Sequence, residues 1–353
     1  MKTSLHRYNN LDGIRTMAAI GVICMHVNAN IGFEIIEGGI ADYLINSVIA
    51  KMYLFVQLFF ILSGFSMCCG YYDKIRNNQI SLNKFYSRRY EKILPFFTLL
   101  VLIDVAIGFL PGGGFSLSSI AEAFADLTLM FGFYTTTGMS VIGVGWTLGV
   151  IFGFYILFPF FIYLIWDRKR AWFSLLITSM IYFLCVEYFQ SGGSLTFRWM
   201  CYFVLGGLIY LYKDDISKFF EEKTWLGIVF VIVGFVVMFV VPFSGTESIA
   251  TVIGLLKNMI GFSLMLSGAL CAENKLWSNP VSRFISKVSL EIYLAHMVVF
   301  RAIEKSGLTT IAGENVVSYI ISCVGTIGGA LIFATVYQYI ERIVKQRLIA
   351  KNA

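Results

Sequence analysis

Apolar runs of membrane-spanning length recur from one end of this chain to the other, and they constrain its fold more than any motif does. Ten spans are predicted, at 14–31, 47–70, 93–110, 141–166, 171–190, 198–212, 224–242, 247–271, 288–305 and 315–340. In lipid every backbone polar group must be satisfied internally, so a spanning chain is either helical or a closed barrel. Barrel strands alternate polar and apolar residues over about ten positions. These runs are continuously apolar, and most approach the roughly 20 residues that a helix needs to cross the hydrocarbon core. The expected fold is an all-α integral membrane protein, one domain over 1–353 built as a bundle of about ten transmembrane helices. Composition agrees: the 353 residues are 58% hydrophobic and 14% charged, with a mean hydropathy of +0.77, far from a soluble domain. No cleavable leader is expected before the first span, and no appended soluble domain after the last. The segment 119–138 is apolar but carries Glu122 and Asp126, and is expected to form an interfacial or re-entrant helix.

Charge gives the expected orientation. Of the 27 Lys and Arg residues, 21 fall in the N-terminal tail and in 74–92, 167–170, 213–223, 273–287 and 341–351, while the intervening loops have none. By the positive-inside rule both termini and the basic loops are cytoplasmic, in a cytoplasmic (inner) membrane with lipid around the bundle. The net charge of +6 is then a topology signal, and no nucleic-acid partner is implied. The seven cysteines lie mostly inside apolar runs without metal-type or secreted-domain spacing, so neither a metal site nor a disulfide framework is expected.

Six cations remain inside or at the ends of spans: Arg15, Lys51, Arg198, Lys257, Arg301 and Lys305. Several can reach headgroups from helix ends. Arg15 differs because of His26. Eleven positions at about 100° and 1.5 Å each place the two on one stripe of the first span, about 16 Å apart. An imidazole with an ordinary pKa near 6.5 can take and return a proton where water is scarce. A second intramembrane histidine, His296 in SLEIYLAHMVVF, is expected at similar depth, with Tyr293 sharing its face and Glu291 on another.

Further candidates lie on the second and third spans. In FFILSGFSM, Ser63 and Gly64 fit close helix packing better than nucleophilic chemistry. In YSRRYEKILP, Arg88, Arg89 and Lys92 precede Pro95, expected at the start of the third span. Beside Tyr86 and Tyr90 they would suit a phosphate-bearing ligand as well as an ordinary basic flank.

With these residues the sequence resembles the membrane-bound acyltransferase family known as acyltransferase 3, nearly end to end. The resemblance rests on LDGIR followed by His26, FFILSGF, the arginine cluster before ILP, GWTLGVIFGFYILFP (145–159, with Trp146), FRWMCYFVLGG (197–207) and SLEIYLAH. It implies ten membrane helices, an acyl-CoA donor, usually acetyl-CoA, arriving from the cytoplasm, and a glycan or lipid-linked sugar hydroxyl of the bacterial cell surface as acceptor. It implies essential roles for Arg15 and His26, a donor role for Arg88, Arg89 and Lys92, and a motif role for Ser63, Gly64 and Phe65. Two departures stand out. Many members carry glutamate where this chain has Ile151, and arginine where it has Lys92. The expected activity is O-acetyl transfer, with His296 as a second proton carrier or an acceptor-binding group. The rival reading is a glycan transporter or flippase, which would call for repeat symmetry or paired half-helices.

Overall fold

The computed structural model describes residues 11–35, 38–109, 116–133, 143–241, 247–271 and 277–352, and every regular element among them is helical. α1 (Leu11–Asn30) is followed by α2 (Gly39–Tyr43), which runs through a π-turn and a 3-10 turn into α3 (Phe55–Arg76). Then come α4 (Leu82–Gly108), α5 (Leu117–Thr128), α6 (Trp146–Leu164), α7 (Arg168–Phe183), α8 (Thr196–Leu211), α9 (Lys213–Phe220) and α10 (Thr224–Phe235). The chain ends with α11 (Glu247–Cys271), α12 (Pro280–Lys287), α13 (Ser289–Lys305) and α14 (Val316–Asn352).

Each predicted span falls on a helix. Among the described residues, five helical stretches, 39–76, 146–164, 168–188, 248–270 and 316–347, are long and apolar enough to cross a membrane. A sixth results if 213–220 and 224–240, bent by 115° at their junction, act together. The other predicted spans fall short on length or polarity. α8 and α13 have 16 and 17 residues, roughly 24–26 Å of helix. α4 differs from its expected span, which was to begin at 93. It starts at Leu82, where Ser81 Oγ accepts from the Lys84 amide at 3.3 Å, and it runs through Pro95 in its interior. The polar stretch before Pro95 is therefore helix, and it carries the arginine cluster on a rigid element. α5 has 12 residues; residues 134–138, the end of the segment expected to be interfacial or re-entrant, lie outside the described residues.

α3 and α8 pack along each other because glycine permits it. A Cβ at Gly64 would overlap the Phe203 carbonyl, and one at Gly206 would overlap the Ile61 carbonyl and the Phe65 amide. Small residues at such crossings bring backbones together and gain dispersion contacts, the main attraction between helices in lipid. α1 stands between two apolar clusters. Ile14, Ala18, Val22 and Met25 join the larger one with α3, α4, α6, α8 and α11, while Ile23 and Val27 join a smaller one with α12, α13 and α14. The central helix thus meets both the α3 side and the α13 side, where the chemistry-bearing residues gather. Large apolar side chains on α7 and α14, such as Phe173, Met180, Ile320 and Val324, point outward, as a lipid-facing surface requires.

Candidate active site

A cavity of about 770 Å³ opens between α1, α3, α4, α6, α12 and α13, within the range of about 300–1,000 Å³ common for ligand sites. Its polar end is cationic. Arg15, Lys74, Arg88, Arg89, Lys92 and Lys287 line it, against the carboxylates of Asp12 and Glu291. Its apolar wall comes from residues such as Val56, Phe59, Phe60, Leu62, Leu148 and Ile151, and Tyr293 and Thr147 bring hydroxyls to it.

The cations are held in place by neighbouring helices. Arg15 Nη2 donates to Ser66 Oγ at 2.6 Å, and Nη1 is 3.7 Å from Asp12 Oδ1. Asp12 is 3% exposed and also accepts from Ser286 Oγ at 2.7 Å, so α1, α3 and α12 are tied together at this point. Its place in the first turn of α1 adds the attraction of the helix N-terminus. Arg89 Nη2 donates to the Tyr71 hydroxyl at 2.5 Å, and the guanidinium lies 4.8 Å from the Tyr71 ring centre and 5.6 Å from that of Tyr155. Such a cage orients the planar fork while leaving its charge intact.

Arg88 and Lys92 are four positions apart on α4, so both share a face, with Arg89 about 100° round. Lys92 precedes the apolar run that starts at Ile93. Its side chain is exposed on α4 and opens onto the cavity, among other cations. Desolvation pushes it below the ordinary lysine value, the Arg89 and Arg15 guanidiniums add to this, and Glu291 opposes it. Crowded like charges of this kind favour an incoming anion.

Of the motif residues on α3, Ser63 and Phe65 line the cavity, whereas Gly64 faces α8 and serves the packing. Trp146 does not line the cavity. Its ring sits 6.0 Å from Trp199 and 6.4 Å from Phe60, in the aromatic packing behind it. Ile151, where many family members have glutamate, does line it. The carboxylates of this cavity come instead from Asp12 on α1 and Glu291 on α13, whose Oε1 accepts from Gln338 Nε2 at 3.0 Å.

The cavity does not include His26. The pitch of α1 keeps His26 on the stripe of Arg15, but its ring meets a different partner. The imidazoles of His26 and His296 lie 5.1 Å apart, centroid to centroid, tilted by 40°. His296 is fully buried, and its Nδ1 is 2.6 Å from the Tyr293 carbonyl. The Tyr293 ring is 5.8 Å from that of His296 and 6.0 Å from Phe59, while its hydroxyl is 3.2 Å from Thr147 Oγ1. Tyr293 thus touches both the cavity and the histidine pair. Arg15 lines the cavity, while His26, on the same stripe of α1, meets His296 instead.

Sequence reasoning missed Asp12, Ser66, Tyr71, Lys74, Tyr155 and Lys287. Asp12 had a signal in LDGIR, where a carboxylate three residues before Arg15 lies within one helical turn of it. The others depend on which helices meet. Among the span-end cations, Arg301 pairs with Asp104 at 3.6 Å and Arg198 Nη1 donates to the Ser191 carbonyl at 2.6 Å, so both have protein partners.

The chain matches the family model of acyltransferase 3, described as an acyltransferase domain, over residues 8–335. That interval includes the whole cavity lining and both histidines. Comparison with curated proteins and with solved structures found no match. A helical multi-pass bundle with a cationic cavity beside a histidine pair, matched almost throughout by this model, belongs to the acyltransferase 3 family.

Proposed function

We propose that this membrane acyltransferase is an O-acetyltransferase, moving an acetyl group from cytoplasmic acetyl-CoA to a hydroxyl of a cell-surface polysaccharide or lipid-linked glycan. The observation that carries this reading is the gathering of Arg15, Arg88, Arg89 and Lys92 at one end of a cavity whose other wall is apolar. Phosphates of the donor would meet the cationic end, with the forks of Arg88 and Arg89 as bidentate partners. The thioester arm would lie along the apolar wall, where water is excluded and the thioester is protected from hydrolysis. In this reading ten helices cross a cytoplasmic membrane with both termini on the cytoplasmic side, so the donor arrives where the basic loops are.

His26 would act at the thioester. The acceptor oxygen attacks the acetyl carbonyl as its proton passes to the imidazole. The carbon–sulfur bond breaks, and the departing sulfur takes the proton back as the free thiol. For these groups to meet, the Tyr293 side chain has to turn aside, since it stands against both the cavity and the pair. The test is incubation of [14C]acetyl-CoA with membranes containing the protein. Label in the polysaccharide or lipid-linked glycan fraction supports the proposal, and label released only as free acetate contradicts it.

A further inference from the structure

We propose that His296 is the positioning residue of His26, an imidazole that fixes which ring nitrogen of His26 carries the hydrogen. This rests on the acyl-transfer reading above. A carbonyl oxygen has only lone pairs to offer, so the 2.6 Å contact with Tyr293 places a hydrogen on His296 Nδ1. In the neutral ring the lone pair is then on Nε2. That atom is buried and has no hydrogen-bond partner among the described residues, a costly state for a group with full accepting capacity. The ring next to it is that of His26, at 5.1 Å between centroids. Two imidazoles at this spacing bring facing nitrogens to about 2.7–3.2 Å by a turn about χ2. A His26 N–H then donates to His296 Nε2, and the opposite nitrogen of His26 keeps its lone pair for the acceptor hydroxyl.

The arrangement has the logic of a histidine oriented by a partner that accepts its second N–H. The carboxylates of Asp12 and Glu291 line the cavity, and the orienting group beside His26 is an imidazole. During transfer the acceptor proton is taken by His26, the charge is shared along the N–H···N bond, and the proton leaves with the thiol sulfur. His296 touches neither donor nor acceptor.

The test compares His296→Phe and His296→Gln in membranes supplied with [14C]acetyl-CoA, with label in the glycan fraction as readout. Phe keeps a buried ring and loses the acceptor, while Gln keeps an acceptor oxygen. The expected result is a kcat fall of about 100-fold for Phe, with KM for acetyl-CoA within about twofold of wild type, and recovery to within about tenfold for Gln. If His296→Phe does not fold, His296→Leu takes its place, with thermal unfolding of the purified protein confirming the fold. Wild-type kcat in the variant without an acceptor overturns the proposal, and so does an equal loss in the Gln variant. Wild-type protein that transfers no label contradicts the acyl-transfer reading itself, so the two failures are distinguishable.

Discussion

Arg15 Nη2 donates to Ser66 Oγ at 2.6 Å, joining the first helix to the third at the cationic end of the cavity. The same guanidinium stands 3.7 Å from the buried carboxylate of Asp12. Its orientation is therefore set before any ligand arrives, and pre-set orientation lowers the ordering cost of binding an anion.

Replacing Arg15 by Lys keeps the charge and loses the fork that reaches Ser66 and Asp12 together. The expected outcome is a KM for acetyl-CoA raised about tenfold, close to 1.4 kcal/mol. Steady-state kinetics at saturating acceptor checks this, with kcat changed less than KM.

Arg89 gives a parallel prediction from the other wall. Tyr71→Phe removes the hydroxyl that accepts from Arg89 Nη2 and leaves the ring beneath the guanidinium. Loss of one charge-assisted hydrogen bond predicts a weakening of donor binding by roughly 1–2 kcal/mol. Titration calorimetry with acetyl-CoA in detergent measures it.

In the proposed reading, donor binding is expected to depend on pH through Lys92. Its folded-state pKa lies below the ordinary lysine value, so it loses its charge at lower pH than a free lysine does. Donor affinity is expected to fall as pH rises toward the alkaline range, and Lys92→Arg, which stays charged, should carry binding to higher pH. In the free protein the sign is opposite. A lowered lysine pKa costs stability while the amine is charged, and that cost lifts as pH rises through the folded value. Affinity and unfolding curves measured across the same pH series separate the two effects.

The α3–α8 crossing predicts a packing phenotype. Gly206→Ala places a methyl group against the Ile61 carbonyl and the Phe65 amide, and such overpacking costs about 1–3 kcal/mol. Gly254→Ala, which meets nothing within 4 Å, is the control. Thermal unfolding in detergent should drop for the first and hold for the second.

Much of this architecture was legible in the sequence for physical reasons. Long apolar runs have few solutions in lipid, and a continuous α1 makes the Arg15–His26 spacing predictable from helical pitch alone. The basic flank of α4 was visible by its charge. Its helicity was not, because a polar stretch outside lipid reads as a loop until the Ser81 cap is seen. Ser63 and Gly64 are neighbours in sequence and about 100° apart on the helix; only the position of α8 decides that the glycine packs and the serine lines the cavity. The pitch of α1 likewise gave the direction of His26 but not where the cavity stops. Phe59 and Tyr293, from two other helices, line the cavity where His26 does not. The Tyr71 and Tyr155 cage around Arg89 depends on three helices meeting, which no local spacing encodes.

The most direct test of the central claim is acetyl transfer by His26→Ala. With [14C]acetyl-CoA and native membranes, the account expects label in the glycan to fall by about 1,000-fold or more. Acetyl-CoA affinity should stay within about threefold, because the cations proposed to hold the donor are untouched. Transfer near the wild-type rate in a folded His26→Ala protein would contradict it.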